Sequence, residues 1–245
     1  MAAAAAFGSG VLVIPGGDAS TEGNSSNGLP FNISGISIAS ERYQQVYGSS
    51  AFPDNPILIT GIDFRPDATF GSAFSNTIPS IQIDLSTTPS AVDALSLTFA
   101  NNVGVDDVTV FPDGPLSLSS ADTGPIGGPE AFDIHIQFTT PFLYDPVSGN
   151  LLLDVRVFDG ASTTQFDAAN SGSDAVSRVY TIGNGVGSAT ANGADSIGLV
   201  TQFDFSDPTS VPEPSSALLC GAGLAAALAF QRLRRSRRPS GTGSV

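Results

Sequence analysis

Short runs of alternating apolar and polar residues, cut by glycine, proline, asparagine and aspartate, constrain this chain most. In Ser80-Ile81-Gln82-Ile83-Asp84-Leu85 the three apolar residues share one face of an extended strand. Asp133-Ile134-His135-Ile136-Gln137-Phe138 repeats the pattern, and so does 151–157. In 57–65 the second half sends Ile62 and Phe64 inward, Asp63 and Arg65 outward. A period of two means one face on a core and one in water, as in antiparallel sheets. Candidate strands are 11–14, 41–47, 57–65, 80–85, 108–111, 132–138, 151–158, 176–181 and 197–205. Two such sheets packed face to face make a sandwich, and a body of this length suits one of jelly-roll type.

Helical architectures fare poorly. There is no lysine, and glycine (27) and proline (17) interrupt any long helical run. Those two residues fill less than a fifth of the chain, below the roughly 25–30% that marks low-complexity disorder. No internal repeat is apparent, which disfavours solenoids and propellers. The segment 18–27 reads as a polar loop, and 91–100 as a short helix or turn.

Charge divides the chain. Residues 1–210 hold four arginines (Arg42, Arg65, Arg156, Arg178) against 22 acids, a formal −18. Residues 211–245 hold five arginines against Glu213, a formal +4. The acidic body repels phosphate backbones, so nucleic acid is excluded as a partner.

The last 35 residues form three blocks. Val211-Pro212-Glu213-Pro214-Ser215 comes first, then the uncharged apolar run 217–230. Arg232, Arg234, Arg235, Arg237 and Arg238 follow. Counted as 215–231, the apolar segment predicts a single short transmembrane helix of roughly 26 Å, against a bilayer core of about 30 Å. So short a span suits a segment threaded once and then removed. The arginines orient it with the C-terminus in the cytoplasm and the acidic body outside. The two prolines lack amide donors and keep the element before the run extended, a form that a processing enzyme can bind.

Pro-Glu-Pro, a short apolar helix and a terminal arginine cluster together resemble the PEP-CTERM sorting signal of envelope proteins from exopolysaccharide-producing Gram-negative bacteria. The resemblance covers 211–238. It implies an exosortase-type processing enzyme as partner, cleavage near the Pro-Glu-Pro element, and transient residence in the inner membrane. The body would then pass to the periplasm, cell surface or extracellular matrix, with exopolysaccharide as a further partner. It implies no function for the body. The phrases at 42–52, 64–75 and 148–156 resemble passengers found ahead of such tails, more loosely.

The expected organisation is a leader remnant at 1–10, a body at 11–206, a Pro-rich linker at 207–214 and the signal at 211–238. The start, Met1 to Ala6 and beyond, has small residues but no basic region, and reads as the end of a leader whose start codon lies upstream, with a weak uncleaved leader as the alternative.

The body nominates few chemical groups. His135 is the only histidine and lies on the outward face of its strand; no Gly-x-Ser-x-Gly elbow accompanies it. Cys220 falls in the apolar run, where a thiol acts as a small hydrophobe. Asp106, Asp107 and Asp113, flanked by Gly104 and Gly114, are candidate calcium ligands, without EF-hand spacing. Tyr43, Tyr47, Phe52 and Phe70 are either core or a sugar-stacking face. Asn24-Ser25-Ser26 and Asn32-Ile33-Ser34 match a glycosylation sequon by accident in a bacterial context. The expectation is an exported, non-enzymatic structural protein needing no cofactor. The alternatives are a polysaccharide-binding module, with or without calcium, and a secreted hydrolase.

Overall fold

A computed structural model describes residues 9–125 and 128–208. The C-terminal residues Val211, Pro212, Glu213, Pro214, Ser215, Cys220 and the arginine cluster, like most of the leader, lie outside them.

Thirteen strands are named among the described residues: β1 (Gly10–Ile14), β2 (Ser25–Asn27), β3 (Glu41–Tyr47), β4 (Ile57–Phe64), β5 (Phe74–Thr88), β6 (Val108–Ser120), β7 (Ile134–Tyr144), β8 (Asn150–Asp159), β9 (Phe166–Asn170), β10 (Val176–Tyr180), β11 (Gly193–Asp195), β12 (Ile197–Leu199) and β13 (Thr201–Ser206). The helical turns named with them are 3-10 and three or four residues long. No helix among the described residues is long and apolar enough to cross a membrane.

Every strand pairing is antiparallel. One sheet runs β1-β13-β4-β7, a second β11-β10-β3-β8-β5-β6, and a small third β12-β9-β2. Taking β1, β3 to β8 and β13 as strands one to eight, the two main sheets read 1-8-3-6 and 2-7-4-5. The inward residues of both sheets form one core. Ile59, Ile62, Phe64, Phe142 and Phe203 come from the first sheet, and Tyr43, Tyr47, Ile83, Leu153 and Val155 from the second. Phe203 meets Tyr47 edge-on at 4.9 Å and Phe52 at 5.4 Å.

The small sheet closes on the second one through a missing side chain. At Gly198 a Cβ would lie 2.5 Å from Val176. That close approach lets the Gln45 amide hold the Leu199 backbone. Its Nε2 donates to Leu199 O at 3.0 Å, and Leu199 N donates to its Oε1 at 2.8 Å.

Several expectations need correction. Segment 18–27 is not all loop: Ser25–Asn27 pairs with β9, and Gly16–Ala19 is a 3-10 turn. In 91–100 the turn half of the expectation holds, with Ala94 N donating to Ala91 O at 3.1 Å, while the helical turn Phe99–Asn101 begins only at its end. The 197–205 run is broken into β12 and β13. Nor is the outer face of the second sheet wet throughout. Gln44, Asp84, Leu152 and Asp154 are buried there. The connection between β5 and β6 accounts for part of this, with Phe99 O accepting from Gln44 Nε2 and Asn102 Nδ2 donating to Gln44 Oε1. Arg42 sets its guanidinium 4.8 Å from the Phe99 ring and pairs with Asp154.

Candidate functional site

The most concentrated polar chemistry of the body lies where β4 ends beside β9. Pro66 forms an isolated bridge to Phe166. Asp67 N donates to Gln165 O, and Asp167 N donates to Arg65 O. These backbone bonds put Arg65, Asp67 and Asp167 together. The sequence pattern sent Arg65 into water, but only 1% of it is exposed. It is enclosed because its guanidinium ties the N-terminal segment down: Nη2 donates to Asp18 O at 2.8 Å and Thr21 O at 2.6 Å. Nε donates to Asp167 Oδ2 at 2.7 Å, and the guanidinium carbon lies 4.6 Å from the Phe132 ring centre.

Glu22, Asp67 and Asp167 each bring a carboxylate oxygen within 4.8 Å of the other two. Asp167 Oδ1 accepts from Gly23 N, Asp67 Oδ1 accepts from Thr69 N and Phe70 N, and Glu22 Oε1 accepts from Ala68 N. Glu22 Oε2 is buried with no partner. Three carboxyls face one guanidinium, so one positive charge cannot neutralise them all. Burial pushes Asp167 up to about 7 against the pull of Arg65, and raises Glu22 against its bond from Ala68 and the charge of Arg65. A hard cation prefers six to eight oxygens. Three carboxylates beside a fixed arginine fall short of that number, and the cluster acts as a staple between the N-terminal segment and β9.

The outer face of the first sheet carries a second constellation. Gln202, Asp63 and His135 are register neighbours across β13, β4 and β7. Asp63 was expected in water yet is 4% exposed. It accepts from Gln202 Nε2 at 2.7 Å and meets His135 Nδ1 at 2.7 Å. The imidazole itself is 66% exposed, as its outward position predicts. A buried carboxylate orienting a histidine is half of a nucleophile-activating relay. The other half is a hydroxyl in reach of Nε2, and the hydrogen bonds among the described residues supply none.

The remaining candidates are dispersed. Asp106 Oδ1 accepts from Thr87 N, and Asp113 Oδ1 accepts from Ser80 Oγ. Asp107 is raised by burial and by Asp84 and Asp154. None of the three belongs to the metal-capable carboxylate group found among the described residues. Tyr43, Tyr47 and Phe52 are core, whereas Phe70 is 67% exposed, so they form no shared stacking face. Asn24 and Asn32 hold backbone: Asn24 Oδ1 accepts from Asn170 N, and Asn32 Oδ1 accepts from Thr163 N.

No protein-family model matches this chain, and no curated protein matches it.

Proposed function

We propose that this chain is an exported structural protein of the cell surface or extracellular matrix, delivered and trimmed through a C-terminal signal of the PEP-CTERM kind. The observation that carries the reading is the order of three blocks: Pro212-Glu213-Pro214, an uncharged run, then Arg232, Arg234, Arg235, Arg237 and Arg238. The run crosses the inner membrane once as a short helix, with the arginines inside. An exosortase-type enzyme cleaves near the Pro-Glu-Pro element, and the body goes on to the periplasm, surface or matrix.

The body suits such a passenger. Its antiparallel sheets form one unit around a shared core, no hydroxyl among the described residues is hydrogen-bonded to its histidine, and we read it as non-catalytic. The 1-8-3-6 and 2-7-4-5 strand orders support a jelly roll, two Greek keys folded face to face.

The experiment is processing in a host that makes an exosortase. Wild type is expected to lose its tail, while Glu213→Ala and Pro212→Ala retain it in the membrane fraction. Normal trimming of both variants would reject the sorting claim.

A further inference from the structure

We propose that Asn184 is a self-modifying site, converted to aspartate or isoaspartate through attack by the backbone nitrogen of Gly185. This goes beyond delivery and does not depend on it, since the residues involved belong to the body.

The sequence holds three Asn-Gly pairs: Asn27-Gly28, Asn184-Gly185 and Asn192-Gly193. A glycine in second place favours the chemistry, because it has no Cβ to shield the attacking nitrogen. The fold separates the three by how firmly each carboxamide is held. Asn27 is 6% exposed and grips both backbone groups of Leu29. Its Nδ2 donates to Leu29 O at 2.6 Å, and Leu29 N donates to its Oδ1 at 3.0 Å. Asn192 is clamped to Ile182 in the same way. Ile182 N donates to its Oδ1, and its Nδ2 donates to Ile182 O, each at 2.7 Å. Gly193 belongs to β11, in register with Tyr180 and against the Tyr180 ring. In neither pair can the carboxamide carbon swing onto the next nitrogen without first giving up two hydrogen bonds.

Asn184 lies between two anchors. On one side Ile182 is held by Asn192. On the other, Val186 N donates to Ser40 Oγ and Ser188 N donates to Gly185 O, each at 3.2 Å. Between them Asn184 is exposed, and neither its side chain nor Gly185 N takes part in a hydrogen bond among the described residues. Gly185 sits at φ 73, and a Cβ on Gly183 would meet nothing within 4 Å. The loop tip therefore leaves the Asn184 side chain room to turn onto Gly185 N.

In the first step Gly185 N bonds to Asn184 Cγ and the Cγ–Nδ2 bond breaks. The amide proton leaves with Nδ2 as ammonia, and a five-membered succinimide remains. Water then adds to either carbonyl of the ring. Opening at one restores the ordinary backbone with an aspartate. Opening at the other gives isoaspartate, whose backbone runs through the side-chain carbon. Either product adds one negative charge to a body whose formal charge is −18. Water is the only co-reactant, so the product accumulates with the age of the molecule.

The test is peptide mapping by mass spectrometry. The full chain is held in detergent at mildly alkaline pH, sampled over weeks and digested with pepsin in acid. Asn184 is expected to react about tenfold faster than Asn27 or Asn192, each of which must first break two hydrogen bonds. In urea the clamps are gone, and the three rates are expected to converge. Asn184→Gln, whose longer side chain does not close a five-membered ring, is expected to remove the main acidic species resolved by ion exchange. The proposal is overturned if Asn184 stays intact, or if Asn27 or Asn192 reacts as fast in the folded chain. It is equally overturned if the preference survives unchanged in urea, or if Asn184→Gln yields the same acidic species as wild type.

Discussion

Replacing Glu41 with glutamine should stabilise the body, by an amount that grows with pH. Glu41 opens β3 on its inward face, is 0% exposed, and neither carboxyl oxygen has a partner. The charged and titratable groups that bear on it are Arg178 and Tyr180 of β10 and Tyr43 of its own strand. Burial dominates over the pull of Arg178 and pushes the carboxyl from its ordinary 4.5 up to about 8. Below pH 4.5 the acid is protonated whether the chain is folded or not, and it adds no pH dependence. Between 4.5 and 8 the unfolded chain has released its proton and the folded one holds it. Each pH unit in that window therefore costs the folded state about a factor of ten. At pH 7 the accumulated penalty is about 3 kcal/mol, and above pH 8 it stops growing. Glutamine keeps the shape of the protonated acid and has no proton to lose. Urea unfolding, followed by circular dichroism from pH 5 to 8, should give wild-type and Glu41→Gln midpoints that diverge steadily as pH rises. Parallel midpoints would show that Glu41 is ionised or solvated in the folded protein, and would refute the reasoning. Asp167 adds a slope of the same sign up to about pH 7, and comparison with the variant removes it.

Three further outcomes follow from the same contacts. Asp167→Ala strands the Arg65 guanidinium in an enclosed site and should cost about 3–5 kcal/mol in urea unfolding, while the double change Arg65→Met, Asp167→Leu should recover most of it. Phe203→Ala removes the ring shared by Tyr47 and Phe52 and should cost about 3–5 kcal/mol, read as a lower unfolding midpoint with an unchanged m-value. Neutral replacement of Arg232, Arg234 and Arg235 should impair membrane retention or invert the tail, scored by protease accessibility of a C-terminal tag.

Much of the strand set was legible because one face had to be apolar. The 41–47 run reads as a strand from its residues alone, and β4 differs from expectation by a single position at its end. The short elements were not legible. Ser25-Ser26-Asn27 and Phe166-Asp167-Ala168-Ala169-Asn170 have little β-propensity, and they form strands because each pairs with the other. The outer-face burial of Asp63, Arg65, Asp84 and Asp154 was equally hidden. Alternation assigns a residue to a face but does not say what later covers it. The two polar constellations show the same limit. Asp63 and His135 were both placed outward, but only strand register makes them neighbours. Glu22, Asp67 and Asp167 are far apart in the chain, and Arg65 gathers Asp167 with the N-terminal segment as one of only four cations in an acidic body.

The most direct check on the whole account is the intact mass of the protein recovered from the surface of cells that make a sorting enzyme. A polypeptide whose last residue falls close to Pro212-Glu213-Pro214, with the five arginines gone, is the expected finding. Recovery of material still ending in Gly243-Ser244-Val245, held in the cytosol, would contradict it.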